Sequence, residues 1–306
     1  MYDILIVGGG PAGLTAGLYN ARARMNVALL EKMAPGGQVL TTDWVENYPG
    51  FPDGISGFEL MDRMKGQPEK FGLEIRSEDV LRLEFRDDRK LVTTNRETYE
   101  TRALILACGA SWKKLGVEGE SNLMGRGVSY CATCDGPFYR DQPVAVIGGG
   151  DTAVEESLFL TRFASRIYHV HRRDELRAVK LLQERAMAEE KIEFVWDSVP
   201  LRILGADGVE GIELRNVKTG ETSRREVQGV FIFIGTLPNT ELVQGLVDLD
   251  DAGFVLTDDQ METSVPGVFA AGDMRSKSFR QISTAVGEGA AAAHGAEKYV
   301  EDMQGV

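Results

Sequence analysis

Two glycine-rich sequences divide this chain into similar halves. The first is GGGPAG, from Gly8 to Gly13, and the second is GGGDTA, from Gly148 to Ala153. Each follows a short apolar run and opens a segment with helical apolar periodicity. A strand, a glycine turn and a helix N-terminus in this order typically bind a dinucleotide, because the turn lets the backbone approach a pyrophosphate at the positive end of the helix dipole. The chain is therefore predicted to contain two such units.

Each glycine sequence continues into a β-α-β pattern. We expect a strand at 3–7, a helix at 11–23 and a strand that ends at Glu31. The same order returns as a strand at 144–147, a helix at 151–163 and a strand at 166–170. Strand-like pieces at 80–102 and 203–234 suggest antiparallel meanders. The repeat predicts an α/β fold with two Rossmann-like domains.

Length and charge limit the possible partners. With 306 residues the chain is long enough for about two domains. A net charge of −13 opposes non-specific binding to nucleic acid or an anionic membrane. No apolar run approaches the roughly 20 residues that a membrane span needs, and the N-terminus enters a strand without a signal-like region. We expect no nucleic acid, no membrane association and a cytoplasmic location.

The cysteines point to redox chemistry. The chain has three, and the close pair Cys131 and Cys134 lies in CATCD, between the two glycine sequences. Three are too few for a disulfide scaffold, so the pair is better interpreted as redox-active than structural. A zinc site needs about four ligands, and the three histidines stand at no paired spacing, so no metal is expected. Cys108 is expected to be a buried, inert thiol.

The ends of the second strands differ between the halves. In the first half the strand ends at Glu31, where a carboxylate can accept hydrogen bonds from ribose hydroxyls and would repel a 2′-phosphate. In the second half the strand is followed by Arg172 and Arg173, with Arg177 further on. Arginine side chains suit a 2′-phosphate, so NADPH is favoured over NADH there.

Several motifs together carry a family resemblance. Besides the two glycine sequences and CATCD, the chain contains ENYPG at 46–50, HRRDELR at 171–177, AAGD at 270–273 and RQ at 280–281. From Asp3 to about Val300 the chain resembles the low-molecular-weight thioredoxin reductases of bacteria.

The resemblance implies two cofactors, FAD and NADPH. The residues expected at FAD are Gly8, Gly10, Pro11, Ala12, Gly13, Glu31, Gly37, Gln38, Asn47, Gly272, Asp273, Arg280 and Gln281. The residues expected at NADPH are Gly148, Gly150, Asp151, Thr152, Arg172, Arg173 and Arg177.

The resemblance also implies a domain arrangement. Both domains would be Rossmann-like with three ββα layers, and one would be inserted in the other. Residues 1–112 and 242–306 would form the FAD domain, and residues 115–240 would form the NADPH domain that carries the dithiol. The two crossings, near Lys113 and near Thr240, would act as hinges. The resemblance also implies a homodimer.

The implied function is that of a thioredoxin-disulfide reductase. Hydride would pass from NADPH to FAD, then to the Cys131–Cys134 disulfide, and the dithiol would reduce thioredoxin by exchange. By the resemblance, Cys134 lies against the flavin, Cys131 exchanges with thioredoxin and Asp135 handles the proton. A flavoprotein dithiol oxidase, a ferredoxin-dependent thioredoxin reductase and a non-enzymatic flavin redox sensor remain as alternatives.

Overall fold

The computed structural model describes residues 1–42, 44–86 and 89–305, without the side chain of Thr41. Asp87 and Asp88, within the first predicted meander, lie outside these residues. The chain divides into two compact units. Unit 1 comprises Met1–Ser111 and Leu237–Val306, and unit 2 comprises Trp112–Thr236.

Strands and helices occur in both units. The strands are β1 (Tyr2–Val7), β2 (Val27–Glu31), β3 (Glu74–Ser77), β4 (Val80–Phe85), β5 (Lys90–Thr94), β6 (Thr98–Leu106), β7 (Ala110–Trp112), β8 (Val128–Ser129), β9 (Pro143–Gly148), β10 (Arg166–Val170), β11 (Ile192–Val195), β12 (Ser198–Leu204), β13 (Gly211–Asn216), β14 (Thr222–Arg225), β15 (Gly229–Phe233), β16 (Thr236–Pro238) and β17 (Val268–Ala270). The helices are α1 (Pro11–Arg22), α2 (Gly57–Lys70), α3 (Ala132–Asp135), α4 (Asp151–Leu160), α5 (Lys180–Met187) and α6 (Ile282–Gln304), with 3₁₀ turns at Gly37–Thr41, Gly136–Tyr139 and Glu241–Val243.

Unit 1 is built on one mixed sheet in the order β3-β2-β1-β6-β5-β4, with β17 also paired to β6. Strands β1, β2, β3 and β17 join parallel neighbours, whereas β4 and β5 are antiparallel. Side chains alternate between the two faces of a strand. Ile4 and Ile6 pack with buried residues of α1 and α6. Leu5 and Val7 pack on the other face, with buried residues of the β4–β5 hairpin.

Unit 2 is built on a parallel sheet in the order β11-β10-β9-β15-β8. Val144 and Val146 of β9 pack against buried residues of α4 and α5. Ala145 and Ile147 face the other way and pack against the antiparallel sheet β12-β13-β14. The layers are therefore helices, parallel sheet and antiparallel sheet, which confirms the predicted Rossmann-like, three-layer fold.

Some elements differ from the expectation. Helices α2 and α5 and strands β3 and β11 had not been predicted, and the helix expected at 151–163 ends at Leu160. The unit limits also differ from the expected 112, 115, 240 and 242. Strands β7 and β16, where the chain crosses between the units, pair in a two-stranded sheet that the sequence pattern did not mark.

No helix among the described residues is both long and apolar enough to cross a membrane.

Candidate functional site

The first glycine loop is a tight turn between β1 and α1. Gly8 has φ +106°, and a Cβ there would overlap the carbonyl of Ala107. A Cβ on Gly13 would overlap the carbonyl oxygen of Gly8, so larger residues cannot hold this turn. Gly10 caps α1, Pro11 begins it, and no other atom lies within 4 Å of a Cβ placed on Gly10. The first N–H groups of α1 therefore border space that a phosphate can enter.

Glu31, at the end of β2, supports the same loop. Its Oε2 accepts a hydrogen bond from the Gly9 N–H at 2.7 Å, and its Oε1 accepts one from the Met33 N–H at 2.9 Å. Each carboxylate oxygen can accept a second hydrogen bond. Glu31 is therefore held beside the loop with acceptor capacity left for a ligand hydroxyl.

Other candidates in unit 1 gather at this loop. A Cβ on Gly37 would lie 3.4 Å from the Gly10 Cα, and Gln38 follows in the same 3₁₀ turn. A Cβ on Gly272 would lie 3.0 Å from the Ala12 Cβ. The structure thus places Gly37 and Gly272 against the first loop.

The remaining candidates of unit 1 form two contacts. Asn47 Nδ2 donates to Gln281 Oε1 at 3.1 Å, and Gln281 caps α6. Arg280 Nε donates to the Asp273 carbonyl at 3.3 Å, while its guanidinium lies 4.1 Å from the Phe254 ring centroid. Asp273 Oδ1 is buried and accepts no hydrogen bond from a described residue. This oxygen is an acceptor that a bound molecule could use.

The second glycine loop lies between β9 and α4. Gly150 caps α4, and a Cβ on Gly149 would overlap the imidazole of His171. Asp151 Oδ1 accepts from the Val179 N–H at 2.7 Å, and the Arg177 N–H donates to the Gly149 carbonyl at 2.7 Å. These two bonds join the segment after β10 to the glycine loop. Gly148 ends β9, and Thr152 is exposed in the first turn of α4.

Strand register makes Glu31 and His171 equivalent. Val7 pairs with Leu30 in unit 1, as Ile147 pairs with Val170 in unit 2, so Glu31 and His171 each come one residue later. Each side chain also lies against the middle glycine of its loop. Burial lowers the pKa of His171, with neighbouring arginines adding to the effect. A neutral ring therefore replaces a carboxylate.

The arginine side chains that follow β10 are available to bind a ligand. Arg172, Arg173 and Arg177 are exposed. Within the described part of the chain, none of the three forms an ion pair with a carboxylate. The guanidinium groups can therefore bind an anionic ligand without first breaking a salt bridge.

Cys131 and Cys134 form a disulfide in unit 2. Their Cα atoms are 5.3 Å apart, because Cys131 caps the short helix α3 and Cys134 lies within it. The Cys134 N–H donates to Cys131 Sγ at 3.2 Å. Asp135 follows directly and is partly buried, and its N–H donates to the Cys131 carbonyl at 3.1 Å. Burial, together with the nearby charge of Asp135, raises the pKa of Tyr139 to about 12.

A buried support behind the disulfide had not been predicted. Tyr130 precedes Cys131, and its hydroxyl donates to Glu120 Oε1 at 2.7 Å. Glu120 also accepts from the N–H groups of Leu115 and Gly116. These contacts depend on the fold of residues 115–130, which no motif covers, so motif spacing had no signal for them. The contact of His171 with the second glycine loop had likewise not been predicted.

Cys108 lies in unit 1, and its thiol is buried as expected. The residue as a whole is partly exposed. Its Sγ donates to the Val7 carbonyl at 3.7 Å, and burial of the thiol raises its pKa to about 12. It is therefore a protonated, unreactive thiol at neutral pH.

Among the described residues, no group of three or more His, Cys, Asp or Glu side chains has the arrangement of a metal site.

Comparison with known proteins agrees with this arrangement. The model of the pyridine nucleotide-disulphide oxidoreductase family matches residues 2–289. A thioredoxin reductase of Listeria monocytogenes is 47% identical over 99% of this chain and 95% of its own length. One of Bacillus subtilis is 46% identical over 99% of this chain and 96% of its own length.

A solved structure extends the likeness to the fold. The crystal structure of thioredoxin reductase from Streptococcus pyogenes is 50% identical, covers 99% of both chains and superposes with a TM-score of 0.95. The resemblance found in the motifs is confirmed over the full length. The chain belongs to the pyridine nucleotide-disulphide oxidoreductase family, among relatives that are bacterial thioredoxin reductases.

Proposed function

We propose that this oxidoreductase is an NADPH-dependent, FAD-containing thioredoxin-disulfide reductase. The observation that carries the proposal is the Cys131–Cys134 disulfide, which lies in the same compact unit as a dinucleotide loop and three exposed arginines. A nucleotide bound at this loop would supply reducing equivalents. The disulfide, whose cysteines are three positions apart, would accept them. The names of relatives at nearly half identity favour thioredoxin as the partner.

The residues of unit 1 fit FAD. The glycine loop and the first turn of α1 offer N–H groups to a pyrophosphate, and Glu31 offers carboxylate oxygens to ribose hydroxyls. Asp273 Oδ1 is a buried acceptor that still lacks a hydrogen bond from a described residue. When bound, the flavin would supply hydride acceptance from a nicotinamide and electron transfer to a disulfide.

The residues of unit 2 fit NADPH better than NADH. The carboxylate that would repel a 2′-phosphate is present as Glu31 in unit 1, but His171 takes its place in unit 2. Arg172 and Arg177 are exposed and can form charge-assisted hydrogen bonds with a phosphate. Asp151 and the Arg177 N–H hold this segment at the glycine loop, so the cations stay near the nucleotide.

The dithiol residues have separate roles in the proposal. Reduction of the disulfide takes two electrons and two protons, and it breaks the S–S bond to give two thiols. Cys131 attacks the thioredoxin disulfide as a thiolate, forming a mixed disulfide, and Cys134 then displaces the reduced thioredoxin. Asp135, next to Cys134, gives and takes the proton.

We further propose that the protein forms a homodimer and is located in the cytoplasm.

Two serine variants test the proposal. Cys134→Ser should keep bound FAD and flavin reduction by NADPH but lose thioredoxin reduction. Cys131→Ser should leave Cys134 as a thiolate against oxidised flavin, which produces a long-wavelength charge-transfer absorption band. Cys108→Ser is the matched control and should retain thioredoxin turnover. Near-normal turnover in Cys134→Ser would overturn the assignment, and absence of the band in Cys131→Ser would reverse the two cysteine roles.

A further inference from the structure

A cluster of four charged side chains surrounds the turn after β17. Glu288, on α6, is the central member, and only 14% of its side chain is exposed. Its Oε2 accepts a hydrogen bond from the Gly272 N–H at 2.7 Å. Its Oε1 lies 3.0 Å from Arg275 Nη1. One carboxylate therefore holds both the backbone and a cation of the turn.

Lys277 connects this carboxylate to Asp273. Its Nζ lies 3.2 Å from Glu288 Oε2 and 3.2 Å from Asp273 Oδ1. The contact with Asp273 is an ion pair without hydrogen-bond geometry, so Oδ1 keeps its acceptor positions. The Lys277 side chain is 10% exposed, so solvent screens these contacts only weakly. Two cations balance two carboxylates, which makes the partial burial of all four tolerable.

The same turn touches the first glycine loop. Gly272 has φ +80°, and a Cβ there would lie 3.0 Å from the Ala12 Cβ. On α6, Gly289 follows Glu288, and a Cβ on Gly289 would overlap the Ala12 carbonyl oxygen. Glu288 thus lies where α6 meets the N-terminal turn of α1. A displacement of its carboxylate would move Asp273 relative to the loop.

We propose that Glu288 and Lys277 are positioning residues for the flavin cofactor. Glu288 fixes the Gly272 N–H and the Lys277 ammonium. Lys277 in turn orients the Asp273 carboxylate, so that its Oδ1 stays available to a hydroxyl of the cofactor. This inference rests on the proposed binding of FAD in unit 1.

Release of FAD from the holoprotein tests the inference. Released FAD is followed by its fluorescence, and unfolding is followed in the same sample by far-ultraviolet circular dichroism. Glu288→Gln and Lys277→Met should release FAD roughly tenfold faster or more while the protein stays folded. Lys277→Arg keeps the charge and should release FAD at a rate close to that of the unmodified protein. Glu301→Gln, at an exposed position of the same helix, is the matched control.

Three outcomes separate the possible failures. If the unmodified protein holds no FAD, the proposed function is wrong. If it holds FAD but Glu288→Gln and Lys277→Met release it at the unmodified rate, the positioning role is wrong. If release in these variants only accompanies loss of the circular dichroism signal, the cluster stabilises the fold and does not position the cofactor. Should Glu288→Gln fail to fold, the comparison of Lys277→Met with Lys277→Arg decides.

Discussion

At the scale of single residues, one exchanged side chain distinguishes the two glycine loops. Glu31 and His171 follow equivalent strands and contact the middle glycine of equivalent loops. A carboxylate can accept hydrogen bonds from free ribose hydroxyls. A neutral imidazole adds no negative charge, so the arginines beside it keep the electrostatic potential at the second loop positive. The sequence predicted this contrast from Glu31 and the arginines. It did not identify His171, because its contact with Gly149 depends on strand register.

The arginines of unit 2 should set the nucleotide preference. Arg172→Ala together with Arg177→Ala should raise the KM for NADPH strongly, because each lost phosphate contact removes on the order of 1.5 to 3 kcal/mol. The KM for NADH should change little. Arg185→Ala, at an exposed position of α5, serves as the control in steady-state assays with both nucleotides. An equal rise for NADH would show that these arginines serve the fold.

Glu156 of α4 should destabilise the protein near neutral pH. Burial, with a smaller contribution from Glu155, raises the pKa of Glu156 from 4.5 to about 6. The folded state then binds more protons than the unfolded state between these values, so this group favours folding as the pH falls through 6. Glu156→Gln should be more stable than the unmodified protein above pH 7, by about 1 kcal/mol after discounting for partial exposure.

Urea unfolding at several pH values measures this effect. The advantage of Glu156→Gln should shrink as the pH falls below 6. Glu155→Gln, at the exposed neighbouring position, removes only the smaller contribution and should show a weaker trend. A constant difference between Glu156→Gln and the unmodified protein at all pH values would contradict the raised pKa.

At the scale of elements, the glycine loops were predictable because sterics allow few alternatives, whereas other elements depend on packing. Helix α2 carries Gly66 and Pro68, which weaken its pattern, although Ser56 accepts from the Glu59 N–H as a cap and the Ser-x-x-Glu spacing could have revealed it. Strand β6 extends beyond residue 102, where the first predicted meander ends. Its first half alternates and pairs with β5, and its second half is fully apolar between β1 and β17.

A buried histidine of strand β10 should make the stability of the protein decrease at acid pH. His169 is fully buried, and its Nδ1 lies 2.8 Å from the Ser157 hydroxyl. Burial, with the neighbouring His171, lowers the pKa of His169 from 6.5 to about 4. Between these values the unfolded state binds a proton that the folded state does not. The contribution of His169 to the free energy of unfolding should therefore fall by about 3 kcal/mol as the pH drops from 6.5 to 4.

The comparison of His169→Gln with the unmodified protein isolates this effect. Urea unfolding should show a weaker loss of stability in the variant over that pH range. His294→Gln removes an exposed histidine of α6 and should leave the pH dependence unchanged. Parallel curves for His169→Gln and the unmodified protein would show that His169 titrates normally.

At the scale of the whole molecule, the repeated β-α-β unit made the fold class predictable, and the close spacing of Cys131 and Cys134 made the dithiol predictable. Both glycine sequences are followed by the expected helix and strand, and the two cysteines are joined in the structure. The crossing points between the units were less predictable. They lie in the β7–β16 pair, whose strands are far apart in the sequence, and no local pattern signals such a pairing. The four-charge cluster around Glu288 escaped prediction because it depends on how the turn after β17 packs against α6.

Anaerobic titration of the purified protein with NADPH, followed by addition of oxidised thioredoxin, tests the proposed function most directly. We expect NADPH to bleach a flavin absorption spectrum and thioredoxin to restore it. Electrons then flow through the Cys131–Cys134 pair to the partner, and Cys134→Ser should bleach without recovery. Bleaching of the unmodified protein that thioredoxin cannot reverse, or a protein that NADPH does not bleach, would contradict the account.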